Sequence, residues 1–220
     1  MKNSFTEENY LKAIYKLQEK QQSEVSTNDI SKEMNTKAAS VTDMLKRLSD
    51  KSLIHYQKYQ GVSLTEVGDK IALNIIRKHR LWETFLVNKL QFKWDEVHDI
   101  AEQLEHIEST DLVEKLNEYL GFPQYDPHGD PIPNKKGVFT NKKMIALYDM
   151  PIGFVGKVAG VSEHSAAFLK HLEKIGISLG VELTITEKNE FDHSISIHIG
   201  DESPVFISKE VALNLLVFNH

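Results

Sequence analysis

The fold is decided by residues 37–65, which read KAASVTDMLKRLSDKSLIHYQKYQGVSLT. In the first half of this stretch, Val41, Leu45 and Leu48 recur at helical spacing and predict an amphipathic helix. In the second half, two short β-prone runs, residues 54–58 and 62–65, flank a glycine-containing turn. A helix followed at once by a small hairpin is typical of a winged helix-turn-helix, in which the hairpin is the wing.

Two more helices are predicted upstream of this stretch. Tyr10 and Ile14 lie on one face of a first helix, and Ser26 or Thr27 can cap a second, shorter one. Residues 1–73 are therefore predicted to form an N-terminal winged helix-turn-helix domain.

The middle of the chain is predicted to be helical. Apolar periodicity indicates helices over residues 66–89, 95–106 and 110–120, followed by a proline-rich loop over 121–136. Apolar helical surface outside the first domain is a candidate for dimerisation. Residues 74–137 are predicted to be a helical metal-binding and dimerisation domain that ends in a proline-rich linker.

The pattern changes to short alternating runs in the last third of the chain. Residues 182–186 and 194–199 alternate polar and apolar side chains, and glycines separate the runs. Residues 138–220 are predicted to be a small β-barrel with one helix. The predicted fold class is thus mainly α with a small C-terminal β-barrel.

Composition narrows the class of protein. The chain has 220 residues, a formal charge of −6 and no cysteine, which excludes disulfide and thiolate chemistry. Acidic residues precede any apolar run at the N-terminus, and no apolar run reaches the roughly 20 residues of a membrane helix. We expect a soluble, cytoplasmic protein without a membrane partner.

Six residues that can bind a transition metal lie at helical spacings on two of the predicted helices. They are His79, Glu83, His98, Glu102, Glu105 and His106. Residues three or four positions apart share a helix face, so two neighbouring helices could hold a divalent cation. Imidazole and carboxylate donors suit manganese, ferrous iron, cobalt or zinc better than soft copper. Any one of these residues alone is more typical of a solvated or capping side chain.

A locally basic surface coincides with the predicted third helix. Five bases (Lys37, Lys46, Arg47, Lys51, Lys58) face two acids (Asp43, Asp50) between residues 37 and 58, a local charge of +3 on an acidic chain. Such bases can contact phosphates, and small polar residues can approach base edges. The predicted DNA-binding residues are Thr27, Lys37, Ala39, Ser40, Thr42, Asp43, Lys46, Arg47 and Lys58. A solvated helix face in a protein-binding winged helix is the alternative.

Several motifs resemble one family over nearly the whole chain. They are residues 8–15 (ENYLKAIY), the helix at 37–51, residues 77–83 (RKHRLWE), the two pairs Val97-His98 and Glu105-His106, and Pro127-His128-Gly129 with Pro131-Ile132-Pro133. On these motifs the chain resembles the DtxR/MntR family of metal-dependent transcriptional repressors. Its C-terminal part resembles the SH3-like, FeoA-type domain of the longer members.

The resemblance implies a homodimer that binds a palindromic double-stranded DNA operator and carries two metal sites per subunit. One set would comprise His79, Glu83 and His98, with Glu163 and His164 as the nearest candidates from the C-terminal domain. The other would comprise Asn9, Glu102, Glu105 and His106. Iron-responsive members have Cys where this chain has Glu102, so the resemblance favours Mn(II) as co-repressor, with Fe(II) as the alternative and Co(II) or Zn(II) possible in vitro.

Two other functions use the same residues. A metalloenzyme could employ the His and Glu cluster, although the chain offers no separate nucleophile or acid–base pair. A winged-helix regulator could instead sense an organic ligand, with the cluster serving as polar contacts between helices.

Overall fold

The computed structural model describes residues 3–57, 61–140, 143–200 and 203–218. Its chain divides into two compact units. The first comprises residues 1–79, 104–108 and 133–139, and the second comprises residues 80–103, 109–132 and 140–220. The division into domains at residues 73 and 137 stays a prediction.

The first unit has the predicted helix, helix, helix and hairpin order. Its elements are α1 (Phe5–Gln21), α2 (Thr27–Glu33), α3 (Ala38–Asp50), β1 (Ile54–Gln57), β2 (Gly61–Leu64) and the first half of α4 (Glu66–Leu90). Strands β1 and β2 pair antiparallel, with Ile54 opposite Leu64. Fully buried side chains of α1, α2 and α3, among them Leu11, Ile30 and Leu45, form its core. This arrangement is the winged helix-turn-helix that the sequence predicted.

Helix α1 starts at Phe5 because Ser4 caps it. The Ser4 hydroxyl accepts from the Glu7 backbone N–H at 3.3 Å, and the Glu7 carboxylate accepts from the Ser4 N–H at 2.8 Å. This reciprocal capping satisfies two backbone donors that a helix start would otherwise leave unpaired. It also fixes the first turn of α1, which carries Glu7, Glu8 and Asn9.

The helical part of the second unit packs around a small apolar core. The second half of α4 and helix α6 (Thr110–Tyr119) contribute Leu81, Val113 and Leu116 to this core, which Ile132 completes. Helix α5 covers only His98–Leu104, a shorter span than the predicted 95–106. Glu105 and His106 therefore lie in the turn after α5 rather than on it.

The C-terminal part of the second unit is an antiparallel sheet with two short helices. Its strands are β3 (Met144–Ala146), β4 (Val155–Val161), β5 (Glu182–Lys188), β6 (Ile195–Ile199), β7 (Val205–Ile207) and β8 (Leu215–Phe218), and its helices are α7 (Ala166–Lys174) and α8 (Lys209–Asn214). The strand order is β3-β8-β4-β5-β6-β7. One face buries a large apolar core that includes Leu147, Leu169, Leu172 and Ile197.

The prediction of a closed barrel is wrong. Closure would require β3 and β7 to pair, yet each of these three-residue strands pairs on one side only within the described parts of the chain. Alternation of polar and apolar residues predicts strands but does not tell whether the edge strands meet.

Among the described residues, no helix has the length and apolar character needed to cross a bilayer.

Candidate metal centres and DNA-reading surface

Helix α3 buries one face and presents the other to solvent. Val41, Leu45 and Leu48 are fully buried, which orients the helix in the first unit. The exposed residues include Lys37, Ala39, Ser40, Asp43, Lys46 and Arg47, while Thr42 and Thr27 are half-buried. Lys58 lies outside the described residues. An exposed helix face of small polar and basic side chains is suited to a DNA groove and its phosphates.

A buried carboxylate connects α1 to α3. Glu7 is 1% exposed and accepts from the Lys51 ammonium at 2.7 Å, and the Arg47 guanidinium lies 3.5 Å away. Burial raises the pKa of Glu7, but the hydrogen bonds from Lys51 and Ser4 and both cationic charges outweigh it, so the net pKa is lowered. Glu7 therefore stays ionised and fixes the first turn of α1 against the C-terminal end of α3.

The first candidate metal cluster lies within the first unit and consists of Glu105, His106 and the side chains that contact them. Glu105 is its centre. Its carboxylate is fully buried and accepts from the Lys12 ammonium at 2.6 and 2.8 Å. Its Oε2 atom also accepts from Nδ1 of His79 at 2.7 Å. An acidic side chain without solvent contact is thus neutralised by one amine and oriented by one imidazole.

His106 is oriented by a carboxylate in the same cluster. Its Nδ1 donates to Glu8 at 2.6 Å, and its ring stacks on Phe5 with centroids 4.5 Å apart. In the neutral imidazole the lone pair is then on Nε2, which lies 3.9 Å from Oε1 of Glu105. This carboxylate–histidine arrangement is typical of metal-ligating imidazoles.

Asn9 supplies an unsatisfied oxygen on the same turn of α1. Its Oδ1 atom is buried and has no hydrogen-bond partner among the described residues. A buried amide oxygen without a donor is costly, so such an atom is a candidate metal ligand. An amide oxygen, a carboxylate and an imidazole, as Asn9, Glu105 and His106 would supply them, are a donor set that suits a hard or borderline divalent cation.

A second candidate cluster lies within the second unit and comprises Glu83, Asp126 and His128. All three side chains are buried, and one ligand atom from each lies within 4.8 Å of the others. Nδ1 of His128 is 3.7 Å from Glu83 and 4.0 Å from Asp126. These distances exceed hydrogen bonds, but two ligands each about 2.1 Å from one cation can be roughly 3–4.2 Å apart. The three side chains therefore fit a divalent cation.

Backbone contacts fix which nitrogen of His128 faces this cluster. Its Nε2 lies 2.8 Å from the Trp94 carbonyl, which can only accept, so Nε2 carries the proton. The neutral ring then presents the Nδ1 lone pair to Glu83 and Asp126. The following Gly129 has φ +90° and packs so closely that a Cβ would lie 2.2 Å from Gly160, which fixes the loop on β4.

The carboxylates of the second cluster stabilise positive charge and shift the pKa values of its members. Burial lowers the pKa of His128, but the nearby Glu83 and Asp126 carboxylates and the Trp94 carbonyl raise it to about 9. Burial and the charges of Asp130 and Glu83 raise the pKa of Asp126 to about 7. A metal bound at these side chains would replace their protons.

His98 and Glu102, both on α5, lie next to this cluster and extend it towards solvent. Nδ1 of His98 lies 3.6 Å from Glu83, and its Nε2 lies 3.7 Å from Glu102. The side chain of His98 is 54% exposed. The structure thus brings Glu83, His98 and Glu102 together in the second unit, whereas the resemblance implied that Glu102 belongs with Glu105 and His106.

The two candidate ligands from the C-terminal domain, Glu163 and His164, have different surroundings. His164 lies beside His128, with ring centroids 5.2 Å apart, and its Nε2 donates to the Val161 carbonyl at 3.1 Å. Glu163 is exposed and accepts from the Ser165 N–H at 2.7 Å, next to the start of α7. His164 is therefore the better placed of the two with respect to the second cluster.

Sequence reasoning missed Glu8, Asp126 and His128 as site residues. Glu8 and His106 are 98 positions apart, so no local spacing signals their contact. For Asp126 and His128 the sequence holds a local signal, because an aspartate directly before a Pro-His-Gly turn can accept from the N–H groups of that turn. Asp126 does so, accepting from the N–H groups of His128 and Asp130 at 2.8 and 3.0 Å.

Family models match three consecutive parts of the chain. Residues 4–62 match the model described as "Iron dependent repressor, N-terminal DNA binding domain". Residues 65–134 match "Iron dependent repressor, metal binding and dimerisation domain", and residues 145–218 match the FeoA domain. The first cluster and the second cluster both draw on residues of the matched metal-binding part.

Individual proteins are similar over long stretches. A solved structure of a manganese-dependent transcriptional repressor in complex with manganese is 36% identical, with a TM-score of 0.83, covering 97% of this chain and 100% of that one. The iron-dependent repressor IdeR of Mycobacterium tuberculosis is 33% identical over 155 residues, 67% of each chain. A probable metal transport system membrane protein of Chlamydia trachomatis is 41% identical over 88 residues, 40% of this chain and 19% of that protein.

Proposed function

Since this chain belongs to the DtxR/MntR family of metal-dependent transcriptional repressors, we propose that manganese is its physiological co-repressor. Members of this family are transcriptional repressors rather than enzymes, and they bind DNA and dimerise. In the proposed mechanism, the protein binds Mn(II) in the cytoplasm, and the metal-loaded dimer represses metal-homeostasis genes at a palindromic operator.

The buried cluster of Glu83, Asp126 and His128 is the observation that carries the metal assignment. Its donors are two carboxylates and an imidazole, and the chain has no cysteine. Oxygen-rich sets without thiolate favour Mn(II) over softer ions. The first cluster adds the amide oxygen of Asn9 to a carboxylate and an imidazole, which supports the same preference.

Iron remains the alternative because both metals prefer similar donors. Two of the three matched family models are described as iron-dependent, whereas the similar structure solved with manganese is described as manganese-dependent. The proposed ligands include the residues predicted from the sequence, namely His79, Glu83, His98, Glu102, Glu105, His106 and Asn9. Asp126 and His128 join them, with His164 as the candidate from the sheet.

The exposed face of α3 would read the operator. Lys37, Lys46 and Arg47 would contact phosphates, and Ser40 and Asp43 are placed on the same exposed face for base edges. In a dimer, two such helices one helical turn of DNA apart would match a palindrome. Metal would act by favouring this DNA-competent arrangement.

A binding experiment tests this proposal. Fluorescence anisotropy would follow a labelled duplex, selected from a random pool with the Mn(II)-loaded protein, in Mn(II), Fe(II), Co(II), Zn(II) or chelator under anaerobic conditions. We expect Mn(II) to raise DNA affinity by at least about 30-fold over chelator, a coupling within the usual range for allosteric effectors. Equal affinity in chelator and in saturating Mn(II) contradicts the proposal, and a response to Fe(II) alone replaces manganese by iron.

Variants connect that response to the second cluster. His128→Gln and Asp126→Asn should each reduce the metal response at least tenfold, because each removes a ligand. His171→Gln is the matched control, since His171 is an exposed histidine on α7 outside both clusters. Retention of the full Mn(II) response by both cluster variants would exclude this cluster as a metal site.

A further inference from the structure

The Lys12 ammonium binds the Glu105 carboxylate, which a metal in the first cluster would need as a ligand. The Lys12 side chain is 7% exposed, and its ammonium lies 2.6 and 2.8 Å from the two oxygens of Glu105, which is fully buried. His79 donates to one of those oxygens as well. Both carboxylate oxygens of Glu105 are therefore engaged by donors of the protein itself.

A divalent cation and this ammonium would compete for the Glu105 carboxylate. A metal ligand must offer a lone pair at about 2.1 Å, whereas Lys12 takes up both oxygens from within the same buried space. The repulsion between an ammonium and a divalent cation is also weakly screened there. A second buried amine adds to this charge, since Lys78 is 5% exposed and donates to the Ile107 carbonyl at 3.4 Å.

We propose that Lys12 is an internal competitor of the metal: its ammonium holds Glu105 in the metal-free protein and must release at least one oxygen when the cation binds. Lys12 thereby stabilises the metal-free first unit and weakens metal binding, so it sets the metal concentration at which the protein responds. This inference rests on the proposed function, because it takes Glu105 to be a metal ligand.

The effect of removing Lys12 has a defined sign. Without the ammonium, the buried Glu105 carboxylate of the metal-free protein keeps its hydrogen bond from His79 but loses its cationic partner, which is strongly destabilising. A metal at Glu105 relieves that cost, so the affinity for metal rises as the metal-free state is destabilised. A lysine with a purely structural role would instead support the metal-free and metal-bound states equally, and its removal would leave metal affinity unchanged.

The test is a calorimetric titration of Mn(II) into the metal-free full-length wild type, Lys12→Met and Lys16→Met, scored on the binding event that Glu105→Gln removes. Lys16→Met is the charge-matched control, since Lys16 is exposed one turn further along α1. We expect Lys12→Met to lower the melting temperature in chelator and to tighten Mn(II) binding at least tenfold, with Lys16→Met like wild type. Unchanged or weaker Mn(II) binding by Lys12→Met overturns the inference.

A second variant and the wild-type result distinguish the possible outcomes. If Lys12→Met does not fold without metal, Lys12→Gln replaces it, because its amide can still donate one hydrogen bond to Glu105, and tighter binding than wild type is again expected. If wild type binds no Mn(II), the proposed function fails. If wild type binds Mn(II) and neither Lys12 variant binds it more tightly, only the role of Lys12 fails.

Discussion

The Glu8 carboxylate lies 2.6 Å from Nδ1 of His106, so a residue on the first turn of α1 determines the tautomer of an imidazole 98 positions later. This contact keeps the Nε2 lone pair of His106 directed towards Glu105, the other acid of the first cluster. The same turn carries Asn9, whose Oδ1 atom is buried, and Glu7, which contacts the end of α3. The first turn of α1 therefore contacts both a candidate metal centre and the DNA-reading helix.

Glu8→Gln should weaken Mn(II) binding at the first cluster by about tenfold without removing a ligand. An amide at this position can still accept from Nδ1, but it stabilises and orients the imidazole less well than a carboxylate does. Calorimetric titration measures the effect. Glu19→Gln, an exposed change on the same helix, is the control, and an unchanged affinity for Glu8→Gln would show that His106 needs no orienting carboxylate.

Glu7→Gln should destabilise the metal-free protein by about 1.5–3 kcal/mol, the usual range for hydrogen bonds to charged groups. Lys51 and Arg47 would lose the negative charge of their acceptor on α1, although the amide oxygen can still accept. The pKa of Glu7 is lowered in the folded protein, so its contribution is present above its ordinary value of 4.5 and is lost as the pH falls below it. Chemical denaturation at pH 7 and pH 3.5 should show the difference from wild type shrinking in acid, and a pH-independent difference would be inconsistent with the ion pair.

The residues that local spacing identified are those whose partners are near in the sequence. His98 and Glu102 lie four positions apart on α5, and the structure places their side chains 3.7 Å apart. Val41, Leu45 and Leu48 likewise defined the buried face of α3 from periodicity alone. Helical geometry makes both kinds of relationship local, so sequence suffices for them.

The remaining parts of the site depend on contacts that no local pattern encodes. Glu8 reaches His106 across 98 positions, and Lys12 reaches Glu105 across 93. Closure of the sheet likewise depends on whether β3 and β7, the first and last strands in its order, are brought together. These features follow from tertiary packing, which a single sequence does not reveal.

Raising the pH should destabilise the metal-free protein through His128. The pKa of His128 is raised from 6.5 to about 9, so the folded state binds the extra proton, and this stability is fully present below pH 6.5 and lost as the pH rises through 9. Asp126 acts with the same sign between its ordinary pKa of 3.8 and about 7.

Denaturation in chelator between pH 6.5 and pH 9 should show a loss on the order of 2 kcal/mol. His128→Gln should flatten this pH dependence, because its amide can still donate to Trp94 but does not titrate. His171→Gln should retain it. A slope that survives in His128→Gln would assign the proton to another group.

Asn9→Asp should tighten Mn(II) binding at the first cluster by about tenfold. The Oδ1 atom of Asn9 is buried without a hydrogen-bond partner among the described residues, and a carboxylate in its place would add a full negative charge towards a bound cation. The same change adds an acid directly after Glu8 in the first turn of α1, so the melting temperature in chelator should fall while that in Mn(II) rises. Asn28→Asp, an exposed change on α2, is the control for added charge. If Asn9→Asp lowers both melting temperatures and leaves Mn(II) affinity unchanged, Asn9 does not face the metal.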